Sequence, residues 1–331
     1  ELQAGHHSDV QEGIASLIVA AAALVLWSLG RRLGLTRPRT LLLVVLFAFG
    51  TSVWSSASRA LIPHGPSLLM LGLALLWLLR ADERPRWLWA AGAALALAYL
   101  MRPTNALAVV GLTGWAVFRF RRAALALVTG GALVGALFVW HNLAVYGDVL
   151  PFYFQPGRLA LTATFPVALA GNLVSPSRGL FVFTPVLLFA FVGWRRWQRD
   201  PQHRALINVL AGIVVAHWLA ISGFHRWWGG WSFGPRFFTD MLLFLAVMLV
   251  PVVRDLEWRT RRGAVFAAAL VYGIVIHWAG ANLVGPMEWN GRPNDIDYHP
   301  ERLWDWGDPQ FLRWKTWVPD EAERNAPAPP A

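Results

Sequence analysis

The sequence predicts an all-α fold, a polytopic bundle of transmembrane helices, and three observations carry that prediction. Hydrophobic residues make up 56% of the 331-residue chain and charged residues only 15%, whereas soluble domains hold about 25% charged residues. Apolar segments approaching the roughly 20 residues that a membrane crossing needs recur along the whole length. The connections between them alternate in charge.

Ten apolar segments are visible, near 14–30, 41–58, 65–79, 87–101, 105–118, 123–145, 179–194, 205–224, 237–253 and 263–283. The first connection holds Arg31, Arg32, Arg37 and Arg39, the third Arg80, Arg84 and Arg86, and the fifth Arg119, Arg121 and Arg122. Later ones hold Arg195, Arg196, Arg199 and Arg204, then Arg254, Arg259, Arg261 and Arg262. These five connections carry eighteen of the 29 basic residues and five of the 19 acids, a net +13. The remaining eleven bases and fourteen acids leave a net −3 on the other side. Positive charge resists translocation, so the arginine-rich side is expected to be cytoplasmic and both termini outside. About ten spans satisfy that arrangement.

The formal net charge of +10 would suggest nucleic acid in a soluble protein. Here it is concentrated in short loops at span ends, where it orients helices and meets anionic headgroups, so no nucleic-acid partner is expected. The 20 tryptophans fit the membrane interface. Cysteine is absent, which excludes disulfides and thiolate metal sites. Glu1 is not a methionine and no leader precedes the first apolar segment, which leads us to expect processing, truncation or a missing upstream piece. Residues 1–283 read as the membrane body, with an outer loop over 146–178 whose stretch 159–174 suits an interfacial or re-entrant segment. Residues 284–331 read as an extracytoplasmic tail rich in Trp and Asp, with short helices in its middle and a disordered-looking APAPPA end. No internal repeat is evident, which weighs against a transporter built from inverted repeats.

Polar groups that meet the membrane at some cost are the functional candidates, and they fall on the outer side. They are Arg59 and His64 between the second and third segments, Arg102 and Asn105 around a helix-breaking Pro103, and His141 and Asp148 beyond the sixth. Arg178 precedes the seventh segment, and His225, Arg226 and Arg236 flank WWGGWSFGP before the ninth. Arginine forks and helix N-termini suit a lipid phosphate. Blander roles stand beside this one. Arg59 and Arg102 can snorkel to headgroups, Arg236 and Asp240 are spaced i,i+4 as a structural pair, and His217 and His277 suit packed core positions. The WWGGW run suits an interfacial aromatic belt. His6-His7-x-Asp9 is only a weak metal pattern, better read as a solvated terminus. No Walker loop, GxSxG or HExxH is present, and the spans hold no paired carboxylates.

The segments GTSVWSSASRALIPHGPSLL, LMRPTNALA, GNLVSPSRGLFVFTPVLL and WWGGWSFGPRFFTDMLLFL resemble bacterial membrane glycosyltransferases of the GT-C type, akin to protein mannosyltransferases and lipid A aminoarabinose transferases. The tail WNGRPNDIDYHPERLWDWGDPQFLR is similar to the end of the same group. The resemblance implies a GT-C-like bundle in the bacterial cytoplasmic (inner) membrane. It implies inverting sugar transfer from a polyprenyl-phosphate donor on the outer face, with a carboxylate taking the acceptor's proton and the lipid phosphate leaving. It assigns no certain cofactor and leaves a divalent metal ion open. Members usually place the catalytic acid in a first outer loop, and this chain begins where that loop would be ending, so the first span and most of that loop are expected to be lacking. Asp9 and Glu12 lie nearby but match no motif, so no catalytic residue is carried over. A non-catalytic scaffold or accessory subunit, bound to another membrane protein, is the alternative; a lipid transporter is a weaker one.

Overall fold

The computed structural model describes residues 2–154 and 163–315, the side chains of residues 2–8 and of Phe152 excepted. Among the described residues all regular structure is helical. The main elements are α1 (Leu2–Arg32), α2 (Arg37–Phe49), α3 (His64–Arg80), α4 (Trp87–Met101), α5 (Ala106–Phe120), α6 (Leu125–Tyr146) and α7 (Phe165–Val174). They continue with α8 (Leu180–Phe183), α9 (Phe189–Trp197), α10 (Arg204–Ser222), α11 (Leu242–Arg254), α12 (Arg261–Asn282) and the short α13 (Gly285–Glu288). Every apolar segment predicted from the sequence is mainly helical, two of them with breaks. The His6-His7 side chains, residues 159–162 of the outer-loop stretch and the APAPPA end lie outside the described residues.

Among the described residues five helical runs are long and apolar enough to cross a membrane, namely Asp9–Arg32, Pro103–Tyr146, Arg204–Ser222, Arg236–Arg254 and Arg261–Asn282. The helices His64–Arg80, Trp87–Met101 and Phe165–Val174 are apolar but shorter. The 44-residue run Pro103–Tyr146 contains two antiparallel helices. Tyr99 on α4 and Phe138 on α6 both meet the Phe154 ring, at 5.5 and 5.1 Å, while Gly92 lies against Leu127 and Gly131 farther along. Helices α4 and α6 are therefore parallel, and α5, which joins them, runs the other way. The reversal follows a 3-10 turn at Arg121–Ala124, where Arg121 takes φ 52°.

Two predicted segments are interrupted, and each break has a local cause. α2 ends at Phe49 with Gly50 as its cap, and the chain re-enters as a π-helical turn at Val53–Ala57. The seventh segment is split into α8, a 3-10 turn at Pro185–Leu188, and α9. Pro185 forces Thr184 out of the helical region, to φ −136° and ψ 64°.

The five arginine-rich connections come together at one end of the bundle. Arg32 reaches Glu83 at 2.5 Å, Arg39 the carbonyl of Leu256 at 2.5 Å, Arg119 Asp82 at 2.8 Å and Arg196 Asp255 at 3.2 Å. These contacts link the third cluster to the second, the second to the first, the first to the fifth and the fifth to the fourth. Exposed pairs of this kind stabilise little; what they establish is a shared end. α11 forms the centre of the bundle, with every residue from Leu242 to Val253 buried. Large apolar side chains also cover the outside, among them Leu17, Val110, Phe118 and Trp140, as befits helices that face lipid on one side and protein on the other.

The opposite end carries the loops and the tail. The tail's middle forms two 3-10 turns, Pro300–Trp304 and Gln310–Leu312. Together with buried Trp289 and Ile296 it packs on Trp227 and Trp228 of the WWGGW segment. α7 lies along α10, where Trp218 donates to the Leu169 carbonyl at 3.1 Å and Asn172 to Ser222 at 3.0 Å.

Candidate functional site

The seam among α3, α4, α10 and α11 holds a buried ionic cluster at the end opposite the arginine-rich loops. It grows out of three helix boundaries. Pro103 ends α4, and Arg102, at its cap, adopts an extended backbone (φ −150°, ψ 123°) that turns its side chain across the bundle. His64 opens α3. Asp240 sits in the 3-10 turn Arg236–Met241 that leads into α11. Asp240 is 0% exposed, His64 4% and Arg102 7%.

A carboxylate buried this deeply requires partners, and it has two. Arg102 Nε lies 3.1 Å from Asp240 Oδ2, and His64 Nδ1 lies 3.2 Å from Asp240 Oδ1. Guanidinium only donates and carboxylate only accepts. Arg102 Nη1 faces both ring nitrogens of His64, Nδ1 at 2.6 Å and Nε2 at 2.5 Å, so the imidazole is wedged between the guanidinium and the carboxylate. His217, on α10, donates from Nε2 to the Phe237 carbonyl at 2.8 Å. A carbonyl cannot donate, so Nε2 carries the proton of that bond, and His217 Nδ1 has no partner within the protein.

Unpartnered polar atoms concentrate here. Among the described residues seven buried side-chain nitrogen and oxygen atoms have no hydrogen-bond partner within the protein, and six of them belong to Arg102, Thr104, Asn105, His217, Arg236 and Asp240. For Arg102 Nε and Asp240 Oδ2 the ion-pair contact is present without hydrogen-bond alignment. Asn105 uses its amide nitrogen on Ser67 (2.7 Å) and the Ala98 carbonyl (2.8 Å), which leaves Oδ1 free. Buried polar groups are ordinarily satisfied, so this concentration of exceptions sets the seam apart from the rest of the described residues. Two arginines against one carboxylate give it an excess positive charge.

Arg236 stands half-buried beside this cluster. Its Nη2 donates to the Gly229 carbonyl at 2.6 Å, its Nε has no partner, and its guanidinium lies over the Phe237 ring at 5.6 Å. It is close enough to Arg102 and His64 to interact with both electrostatically. The i,i+4 pairing of Arg236 with Asp240 expected from the spacing does not form. Residues 236–241 make a 3-10 turn, and at three residues per turn positions four apart point about 120° apart.

Arg178 is placed differently. It is 1% exposed, and all five of its N–H donors are committed. Nε donates to the Trp228 carbonyl (2.9 Å), Nη1 to Ser177 O (2.7 Å) and Gln310 Oε1 (2.5 Å), and Nη2 to Gly230 O (3.2 Å) and Asn290 Oδ1 (2.7 Å). Burial pushes this guanidinium down to about 9, with Arg236 adding to the effect, which still leaves it charged at neutral pH. It ties the WWGGW loop to the tail. The adjoining glycines serve that loop, since Gly229 and Gly230 sit at φ 81° and 65°, where other residues are strained.

The remaining predicted residues lie apart from the cluster. Arg59 is exposed and pairs with Glu12 at 3.0 Å. Arg226, also exposed, pairs with Asp297 at 2.9 Å. His141, Asp148 and His225 are on the surface. The structure thus brings together His64, Arg102, Asn105 and Arg236, and adds Asp240, Thr104 and His217. His277 is buried as expected of a core histidine, held between Ser55 (2.8 Å) and Thr184 (2.9 Å). That bridge pins the two broken segments to α12. Among the described residues no group of three or more His, Asp or Glu side chains gathers as a metal-binding set.

Comparison with known proteins adds one finding. The model of the dolichyl-phosphate-mannose-protein mannosyltransferase family matches residues 5–144, less than half of the chain. That stretch runs from α1 into α6 and contains His64, Arg102, Thr104 and Asn105. No curated protein and no solved structure matches the chain. The match supports a membrane glycosyltransferase of the GT-C type and bears out the resemblance read from the motifs in this part of the sequence.

Proposed function

We propose that the chain is a GT-C-type glycosyltransferase that takes its sugar from a polyprenyl-phosphate donor, at the end of the bundle opposite the arginine clusters. In this reading that end is extracytoplasmic, the membrane is the bacterial cytoplasmic membrane, and ten spans cross it with both termini outside. The observation that carries the reading is the buried cationic cluster of Arg102 and Arg236 with its unpartnered polar atoms. The family match supplies the reaction class.

In the proposed step, an acceptor oxygen attacks the anomeric carbon as the bond from that carbon to the phosphate oxygen breaks. The bonding electrons leave on the phosphate, and the acceptor's proton passes to a carboxylate that the cluster does not supply. Departure of an anion in a region of low dielectric is assisted by fixed cations and N–H donors. Arg236, with an uncommitted Nε and only part of its surface buried, is the group that meets the phosphate. Arg102 adds positive charge behind it. Asp240 is enclosed by Arg102 and His64, and its role is to position Arg102 rather than to remove a proton.

The test is turnover in reconstituted protein, with polyprenyl-phosphate-linked hexoses and pentoses offered in turn and release of polyprenyl phosphate as the readout. Wild type is expected to release it from at least one donor. Arg236→Gln is expected to slow release by about 100-fold, the loss typical for removal of one group that stabilises the leaving charge. Equal rates in the two proteins would contradict the assignment.

A further inference from the structure

The arginine-rich end holds a second feature that the sugar-transfer reading does not use. A groove of about 1000 Å³ opens where the ends of α9 and α11 meet the start of α12. Its floor is apolar, formed by Phe189, Val192, Val252 and Leu256. These residues lie on α9, α11 and the turn after α11, next to the arginine-rich connections. Its rim is cationic, with Arg195, Arg199, Arg261 and Arg262 all lining it.

Those four arginines are exposed, and among the described residues none of them has a hydrogen bond or ion pair through its side chain. Arg196, in the same groove, is already engaged by Asp255 (3.2 Å) and the Pro251 carbonyl (3.1 Å). Glu257 is the other acid on the lining. Five arginines against two carboxylates leave a net +3 at the mouth of an apolar groove. A soluble anion would match the rim but not the floor, and a zwitterionic lipid the floor but not the rim. We infer that this groove is a site for an anionic phospholipid, with the phosphate between the arginines and an acyl chain along the apolar floor. Basic pockets between spans are a recurring mode of headgroup recognition. The site would hold a lipid at the junction of α9, α11 and α12, independently of the sugar donor.

The full chain in zwitterionic nanodiscs doped with phosphatidylglycerol supplies the test, with bound lipid counted by native mass spectrometry. The variant Arg195→Gln/Arg199→Gln/Arg262→Gln is compared with Arg37→Gln/Arg84→Gln/Arg122→Gln, which removes equal charge elsewhere at the same end. We expect the first to lose about tenfold in preference for phosphatidylglycerol over phosphatidylcholine, and the second to change less than about twofold. The single variant Arg199→Gln, read in the same way, is expected to lose about threefold and covers the case in which the triple variant folds poorly. Equal losses in the two triple variants, or no loss in the first, would overturn the site. Competition by free glycerol 3-phosphate as effective as that by the intact lipid would overturn the role of the apolar floor.

Discussion

Asp240 and Arg102 are 138 positions apart in sequence and 3.1 Å apart in the fold. Neither has solvent to fall back on. Removing one partner of such a pair leaves the other as an uncompensated buried charge, at a cost of about 3–5 kcal/mol, whereas removing both costs far less than the sum. Arg102→Gln and Asp240→Asn are therefore each expected to be strongly destabilised in thermal melts, and the double variant to recover much of the loss. Additive losses would show that the two side chains do not act as a pair. Arg178 and Arg236 separate in the same assay. Arg178→Gln leaves several buried acceptors without donors, at about 1–3 kcal/mol each, and is expected to melt well below wild type. Arg236→Gln gives up one bond to a carbonyl and the contact with the Phe237 ring, and is expected to melt much closer to wild type than Arg178→Gln. At this scale the sequence was informative about residue type and silent about partners. Asp240 stands out as the one acid in the apolar run 237–253, yet its spacing pointed to Arg236, because an α-helical period was assumed where the chain forms a 3-10 turn. His217 reads as a core histidine until Nδ1 is seen to lack a partner.

The elements were legible because apolar runs bounded by arginine, glycine and proline leave few alternatives to a helix. What remained hidden were the interruptions and the pairing. Pro185 signals the break between α8 and α9, but nothing local signals the π-helical turn at Val53–Ala57, which is held through Ser55 by His277 on α12. The pairing of α4 with α6, rather than of α5 with α6, depends on backbone approach at glycine. A Cβ on Gly92 would lie 1.9 Å from the Leu127 carbonyl oxygen, and one on Gly130 would lie 2.1 Å from that of Trp89. Small residues at such contacts let membrane helices pack by close van der Waals contact. Gly92→Ala is thus expected to lower the melting midpoint clearly. Gly114→Ala on α5, where a Cβ meets nothing within 4 Å, is expected to leave it unchanged or raise it slightly through helix propensity. Equal effects would contradict the observed packing.

Across the whole molecule the two ends differ in how their charge is arranged. One gathers eighteen arginines in loops that touch one another, and the charge bias alone was enough to sort these loops onto one side. The other gathers fewer cations, and only the fold divides them into the Arg102–Arg236 cluster, the Arg178 tie and the surface pairs of Arg59 and Arg226. That division rests largely on contacts spanning 38 to 176 residues, which no spacing rule contains. The absence of cysteine makes the orientation directly measurable. In intact cells, Asp148→Cys is expected to react with a membrane-impermeant maleimide, and Arg259→Cys only after permeabilisation. The reverse pattern would place the buried cluster on the cytoplasmic side and remove the outer-face reading.

The most direct measurement of whether the cluster receives a lipid phosphate is a binding comparison between polyprenyl phosphate and the corresponding polyprenol, on reconstituted wild type and Arg236→Gln. Wild type is expected to prefer the phosphate by about tenfold or more, the worth of one charge-assisted contact out of water. The variant is expected to lose that preference while retaining its affinity for the alcohol. An undiminished preference for the phosphate in a folded Arg236→Gln protein would contradict the site.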